Sequence, residues 1–270
     1  MILHVPHSSS TIPEELRDQI VLSDEELRME QCLMTDAFTD ELFALPETTM
    51  VRFPISRLLV DVERFPDNAT EPMSKVGMGM MYTRTAFGKQ LRRTLQADEK
   101  RNLLTRYYET HHHRLAAEVE EELEQYGKAL IVDCHSFASQ PLPFEMDQAI
   151  PRPEFCIGTD SFHTPGSLTH IAARCIKGMG FTVDINRPYA GSLVPMAYYR
   201  KDRLVASIMI EVNRSLYMDE LSGIKAHGFD HTKEQIQGIL KAIREFQQQA
   251  QPNAWGEAKM LVASLGPRAG

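Results

Sequence analysis

Along the chain, short unbroken apolar runs alternate with longer stretches in which apolar residues recur every three or four positions. The runs at 1–5, 48–53, 55–62, 155–158, 181–185 and 204–212 predict strands, as does the run Ile131-Val132 leading into Asp133-Cys134-His135-Ser136. The three-to-four spacing predicts helices. Ser23-Asp24-Glu25-Glu26 is a capping-box pattern, and Leu27, Cys32, Met34, Phe38, Leu42 and Phe43 extend it as one amphipathic helix to about Leu45. A long helix is expected over 97–126, stopped by Gly127, with Leu104, Tyr108, Leu115, Val119 and Tyr126 on one stripe. Further helices are predicted over 167–177 and 232–249. The segment 73–82 is rich in Met and Gly, has no period, and reads as a mobile loop. Strands alternating with helices indicate an α/β fold with a largely parallel sheet, in one domain over 1–270 that ends in a small polar tail at 252–270.

In such folds ligands collect beyond the C-terminal ends of strands. Four predicted segments end in residues that bind metals or move protons: His7, Asp61 with Glu63, His135, and Glu211. Two imidazoles and a carboxylate, with one position left for water, form a common catalytic zinc shell, and a further carboxylate then serves as general base. Plainer readings stand beside these. His7 lies in a Pro/Ser loop where a surface histidine is ordinary, and a salt bridge to Arg214 or Arg187 accounts equally for Glu211. Asp133 beside His135 suits a partner that orients a ligating histidine.

In the run His111-His112-His113, adjacent side chains on a helix point about 100° apart, so the three do not grip one ion. His112 is expected to be the packed or supporting member and His113 to face solvent. Cys134 points to the opposite sheet face from His135 and reads as a packing residue, not a nucleophile. Arg57, Arg64, Arg187 and Arg214 fall at the same presumed sheet edge; such a cluster predicts a substrate bearing carboxylates, with ion pairing to Asp61, Glu63 and Glu211 as the alternative.

Composition narrows the partners. A net charge of −8 argues against a nucleic-acid partner. No apolar run approaches the ~18 residues of a membrane span. The four cysteines are widely spaced without a CxxC pair, which suggests neither a disulfide framework nor a thiolate zinc site. His4 and His7 interrupt any leader-like apolar stretch, so a cytoplasmic location is expected. Nothing in the pattern bears on oligomeric state.

Four motifs, in this order, resemble the N-formylglutamate amidohydrolase family: His4-Val5-Pro6-His7-Ser8-Ser9-Ser10-Thr11-Ile12-Pro13, Ser56-Arg57 with Asp61-Val62-Glu63-Arg64, Asp133-Cys134-His135-Ser136, and Glu211-Val212-Asn213-Arg214-Ser215-Leu216-Tyr217-Met218. The resemblance spans about residues 1–245. It implies a three-layer α/β/α sandwich with a mostly parallel mixed sheet, of the phosphorylase/hydrolase-like, zinc carboxypeptidase-like kind. It also implies a divalent metal, zinc first, with iron, cobalt or manganese suiting the same donors. By that resemblance His7 and His135 are metal ligands, Glu211 is the general base, and Arg64 holds the carboxylate of a small anionic N-acyl amino acid. N-formyl-L-glutamate is the expected substrate, cleaved to formate and glutamate as in histidine breakdown. Another N-acyl amino acid or peptide-like amide is the alternative, and a metal-free binding protein on the same fold is a second.

The chain departs from the wider pattern twice. Glu63 stands where asparagine is usual, and Ser10 replaces the glutamate expected three residues after the first histidine. The third ligand is therefore expected from Asp61, with Glu63 as the alternative.

Overall fold

In the computed structural model, residues 1–249 are described; the polar tail at 252–270 lies outside them. Six apolar runs become the strands β1 (Ile2–Val5), β2 (Thr49–Arg52), β3 (Ala129–Phe137), β4 (Phe155–Gly158), β5 (Val183–Ile185) and β6 (Val205–Asn213). They form one sheet in the order β2-β1-β3-β6-β4-β5. Neighbours run parallel except β4 against β6. The two central strands, β3 and β6, are nine residues each and buried throughout, because helices cover both faces.

The helices are α1 (Asp24–Met34), α2 (Thr39–Leu42), α3 (Ala97–Leu103), α4 (Thr110–Tyr126), α5 (Gly166–Gly178) and α6 (Phe229–Gln249). On one sheet face Leu3, Leu130, Val132, Cys134 and Ile208 pack with Leu168 and Ile176 of α5 and Ile236 and Leu240 of α6. On the other, Ile2, Val51 and Ile131 pack with Leu115 and Val119 of α4. These are the three layers of an α/β/α sandwich. Ile208 is 0% exposed in the larger core. Ile208→Ala is therefore expected to cost about 3 kcal/mol of unfolding free energy, read from urea denaturation, through lost transfer energy and the cavity it leaves.

Three local expectations give way, each for a physical reason. The helix over 24–45 breaks after Met34. Thr35 is extended, Asp36 donates its backbone N–H to the His7 carbonyl at 3.0 Å, and Phe38 takes a left-handed φ of 65° before α2 begins. The run 55–62 is buried but is a chain of turns, not a strand; the Leu59 N–H donates to the Ser56 carbonyl at 2.9 Å. The long helix over 97–126 contains a π-helical stretch at Leu104–Glu109 that advances the face by roughly one residue. His111, four before the buried Leu115, thereby becomes the inward histidine.

The Met- and Gly-rich segment is not a free loop. Pro72–Val76 is a short 3₁₀ turn, and Met78, Met80 and Tyr82 are all buried. The Met80 carbonyl accepts the N–H of Asp61 at 2.8 Å, which ties this segment to the motif loop.

Candidate functional site

His7 follows the C-terminal end of β1, while His135 lies within β3 and Glu211 within β6. The parallel register pairs His135 with Glu211, so the two side chains stand beside each other on one sheet face. The same logic pairs His4 of β1 with Asp133 of β3. The loop carrying Asp61, Glu63 and Arg64 comes to these strands from outside the sheet. His112 donates from Nε2 to the Val62 carbonyl at 2.8 Å, and the Tyr108 hydroxyl donates to the Arg64 carbonyl at 3.0 Å. Both fix the backbone on which Glu63 sits.

Each of the two key histidines is held through one nitrogen. His7 donates from Nε2 to Asp61 Oδ1 at 2.9 Å, and His135 donates from Nδ1 to Asp36 Oδ2 at 3.1 Å. A carboxylate on one ring nitrogen fixes the tautomer and turns the lone pair of the other outward, as metal-ligating histidines require. The other nitrogens, His7 Nδ1 and His135 Nε2, are buried and lack a hydrogen-bond partner, as is Glu63 Oε1. Ligand atoms of His7, Glu63 and His135 lie within 4.8 Å of one another. Two imidazole nitrogens and a carboxylate oxygen at this spacing are donors that suit a divalent cation.

Carboxylates crowd the second nitrogen of His135. His135 Nε2 faces Glu63 Oε2 at 3.2 Å and Asp133 Oδ1 at 3.1 Å. Burial alone would lower the His135 pKa, yet these carboxylates outweigh it and raise it well above the ordinary histidine range. Asp36 and Asp61 are held well below the carboxylate range despite burial. His135, His7 and Arg214 act on Asp36, and Arg57, His7 and Arg64 on Asp61. Burial pushes Glu211 up to about 8, with Asp36 and Glu63 adding to it against His135 and Arg214, and its Oε2 has no partner. Five carboxyl groups (Asp36, Asp61, Glu63, Asp133 and Glu211) and three guanidinium groups (Arg57, Arg64 and Arg214) thus surround the two histidines.

Asp61, expected as a ligand, is not drawn into this set. Its Oδ1 accepts from His7 and from the Glu63 N–H at 3.0 Å, and its Oδ2 accepts from Arg57 Nη2 and from the Tyr82 hydroxyl, at 2.8 and 2.7 Å. With both oxygens engaged and the side chain 0% exposed, it is held against His7 Nε2, and neither cluster of candidate ligand residues among the described residues includes it. A second set, His4, Glu63 and Asp133, lies alongside, but His4 Nδ1 already donates to Asp133 Oδ1 at 2.7 Å. His4 in turn meets His111 Nε2 at 2.8 Å. Burial, helped by His4 and His112, pushes His111 down to about 2, so it stays neutral.

The pocket, about 160 Å³, is lined among others by His7, Glu63, Arg64, His135, Glu211 and Arg214. The four arginines divide. Arg214 bonds Asp36 and Ser136, and Arg57 bonds Asp61. Arg64, 24% exposed at the pocket, lies 3.9 Å from Asp61, and its Nε is unpartnered among the described residues. It retains capacity for a ligand. Arg187 is taken elsewhere: it pairs with Asp147 at 3.0 Å and Asp184 at 2.7 Å and does not line the pocket.

The family model for N-formylglutamate amidohydrolase matches residues 1–218. The chain belongs to the N-formylglutamate amidohydrolase family. Members of this family are hydrolases that act on a linear amide bond. The N-formylglutamate deformylase of Pseudomonas putida is 24% identical over 229 residues, which is 82% of each chain. The solved N-formylglutamate amidohydrolase of Ralstonia eutropha JMP134 superposes with a TM-score of 0.78 at 21% identity, covering 92% of this chain and 94% of its own. A gene product of Agrobacterium tumefaciens superposes with a TM-score of 0.61 at 19% identity, covering 92% and 91%. Both superpositions show the same fold.

Around this candidate site, the sequence pattern did not single out Asp36, Tyr82, His4 or His111. Asp36 had no signal, because it falls where the helical spacing continues from Leu27 towards Leu42. Tyr82 lies in a segment without periodicity. His4 had one: a histidine inside a fully buried strand must find a partner. His112, expected as the supporting histidine, supports the loop and not the pocket; His111 takes the buried place.

Proposed function

We propose that this chain removes the formyl group from N-formyl-L-glutamate, releasing formate and L-glutamate, and that it does so with a divalent cation, zinc first, held by His7, His135 and Glu63. The observation that carries the cation is the trio of bare, buried donor atoms on those residues, two of them with tautomers already set by Asp61 and Asp36. The substrate rests on the family and on the named activity of the Pseudomonas relative. A bound cation supplies Lewis-acid polarisation of the formyl oxygen and of water.

The protein's own groups supply positioning and proton traffic. Glu211 stands beside His135 in the β3–β6 register and is pushed up to about 8. It can therefore take a proton from water and hand it to the departing amine near neutral pH. Water's oxygen ends on the formyl carbon, the C–N bond breaks, and the nitrogen leaves protonated. Asp61, Asp36 and Asp133 hold the histidines at fixed angle, and Arg57 and Arg214 hold Asp61 and Asp36. Arg64 binds a substrate carboxylate. Glu63 faces His135 at 3.2 Å, which supports a substrate carboxylate at Arg64.

The test is one-to-one release of formate and glutamate from N-formyl-L-glutamate, lost on chelation and restored by zinc. Cation-independent release, or none with any divalent ion, would refute the proposal. Arg64→Gln is expected to raise KM by about 10- to 100-fold, the scale of a charge-assisted carboxylate contact, while Arg187→Gln leaves KM within about twofold. Steady-state kinetics on the two variants checks this.

A further inference from the structure

A second cavity, of about 640 Å³, shares no lining residue with the catalytic pocket. Its charged lining is entirely basic: Arg84, Arg92, Arg93, Lys100 and Arg101, with no Asp or Glu. On a chain of net charge −8 that is a local inversion of the field.

Some of these charges are accounted for. Arg93 pairs with Asp18 at 2.6 Å and with Glu99 at 2.7 Å, and Arg84 donates to the Gly88 carbonyl at 2.8 Å. Arg92 is the exception. It is 3% exposed, and its Nη2 donates to the carbonyls of Leu58 and Leu59 at 2.9 and 2.6 Å, while Nε and Nη1 have no acceptor. Among the described residues no carboxylate lies within ion-pair distance of it. Burial, with Arg93 beside it, lowers Arg92 to about 10, the direction expected of a cation lacking its counter-charge. Lys100 and Arg101, both exposed in α3, add two more positive groups to the same rim.

We propose that this cavity binds a small organic polyanion, one carrying phosphate or several carboxylates, with Arg92 at its floor and Lys100 and Arg101 at its mouth. Guanidinium forks match the oxygen spacing of both groups, and several cations in one cavity select for more than one negative charge. Met81, Leu95 and Leu104 line the same space, which suits a ligand with a carbon body better than a bare ion. The volume lies in the range of small-molecule sites.

Titration calorimetry on the full-length protein tests this with 2,3-bisphosphoglycerate and with tricarballylate as probes, which separate the phosphate and carboxylate sources. At least one is expected to bind with 1:1 stoichiometry and a Kd below about 1 mM, weakening steeply with added salt as exposed charges are screened. In the double variant Lys100→Gln/Arg101→Gln, whose residues are exposed and far from the core, binding should weaken by about tenfold or more while formylglutamate KM stays unchanged. No binding of either probe up to about 10 mM would overturn the proposal, as would affinity in the double variant within about threefold of the parent. Arg92→Lys keeps the charge but loses the fork. It should fall between parent and double variant, and if it does not fold, the double variant alone decides.

Discussion

Glu211→Gln should lower kcat for formylglutamate hydrolysis by about 10³-fold, within the range for removing a general acid–base group. The substitution keeps the shape and removes the proton-carrying group. Its Oε2 is unpartnered, so the substitution breaks no hydrogen bond at that atom. Cation stoichiometry and thermal stability should therefore remain those of the parent. KM should move little, because the loss falls on the step in which the proton moves. A variant with more than about a tenth of parental kcat would remove Glu211 from the mechanism.

Removing a ligand should act differently. His135→Asn is expected to reduce cation affinity by more than about 100-fold, which exceeds the 10- to 100-fold typical of losing a group that only orients a ligand. It also strips Asp36 and Asp133 of a partner on which their low pKa depends, so the folded state should lose stability. Asp61→Asn gives the contrast: it leaves His7 in place but weakens its orientation, and affinity should fall by only about 10- to 100-fold. If Asp61→Asn proved as damaging as His135→Asn, and Glu63→Gln harmless, Asp61 would be the third ligand and Glu63 would not.

His135 and Glu211 were legible because each sits in an apolar run, where a titratable residue is conspicuous and where parallel strands bring successive ends together. The order of β3 beside β6 was not legible, since nothing local encodes which strands pair. Asp36 was hidden because the helical pattern before it continues after it; the break comes from a long-range bond to the His7 carbonyl. The run from Ile55 to Val62 looked like a strand because it is apolar, and it is apolar because it is buried, yet turns at Ser56 fold it back. The histidine run was misread because a wheel drawn at a constant 100° per residue cannot see a π stretch at Leu104–Glu109. Arginines were overcounted at the pocket: Arg187 follows β5, but β5 is at the sheet edge, and Asp147 and Asp184 capture it there.

The family and the fold do not by themselves choose between Asp61 and Glu63, and the proposed choice of Glu63 rests on the distances. An anomalous difference map from crystals loaded with zinc addresses that choice most directly. The account predicts one strong peak bonded to His7 Nδ1, His135 Nε2 and a Glu63 oxygen, with Glu211 close by but not bonded. A peak bonded to Asp61, or no ordered peak near His7 and His135 at full zinc occupancy elsewhere, would contradict it.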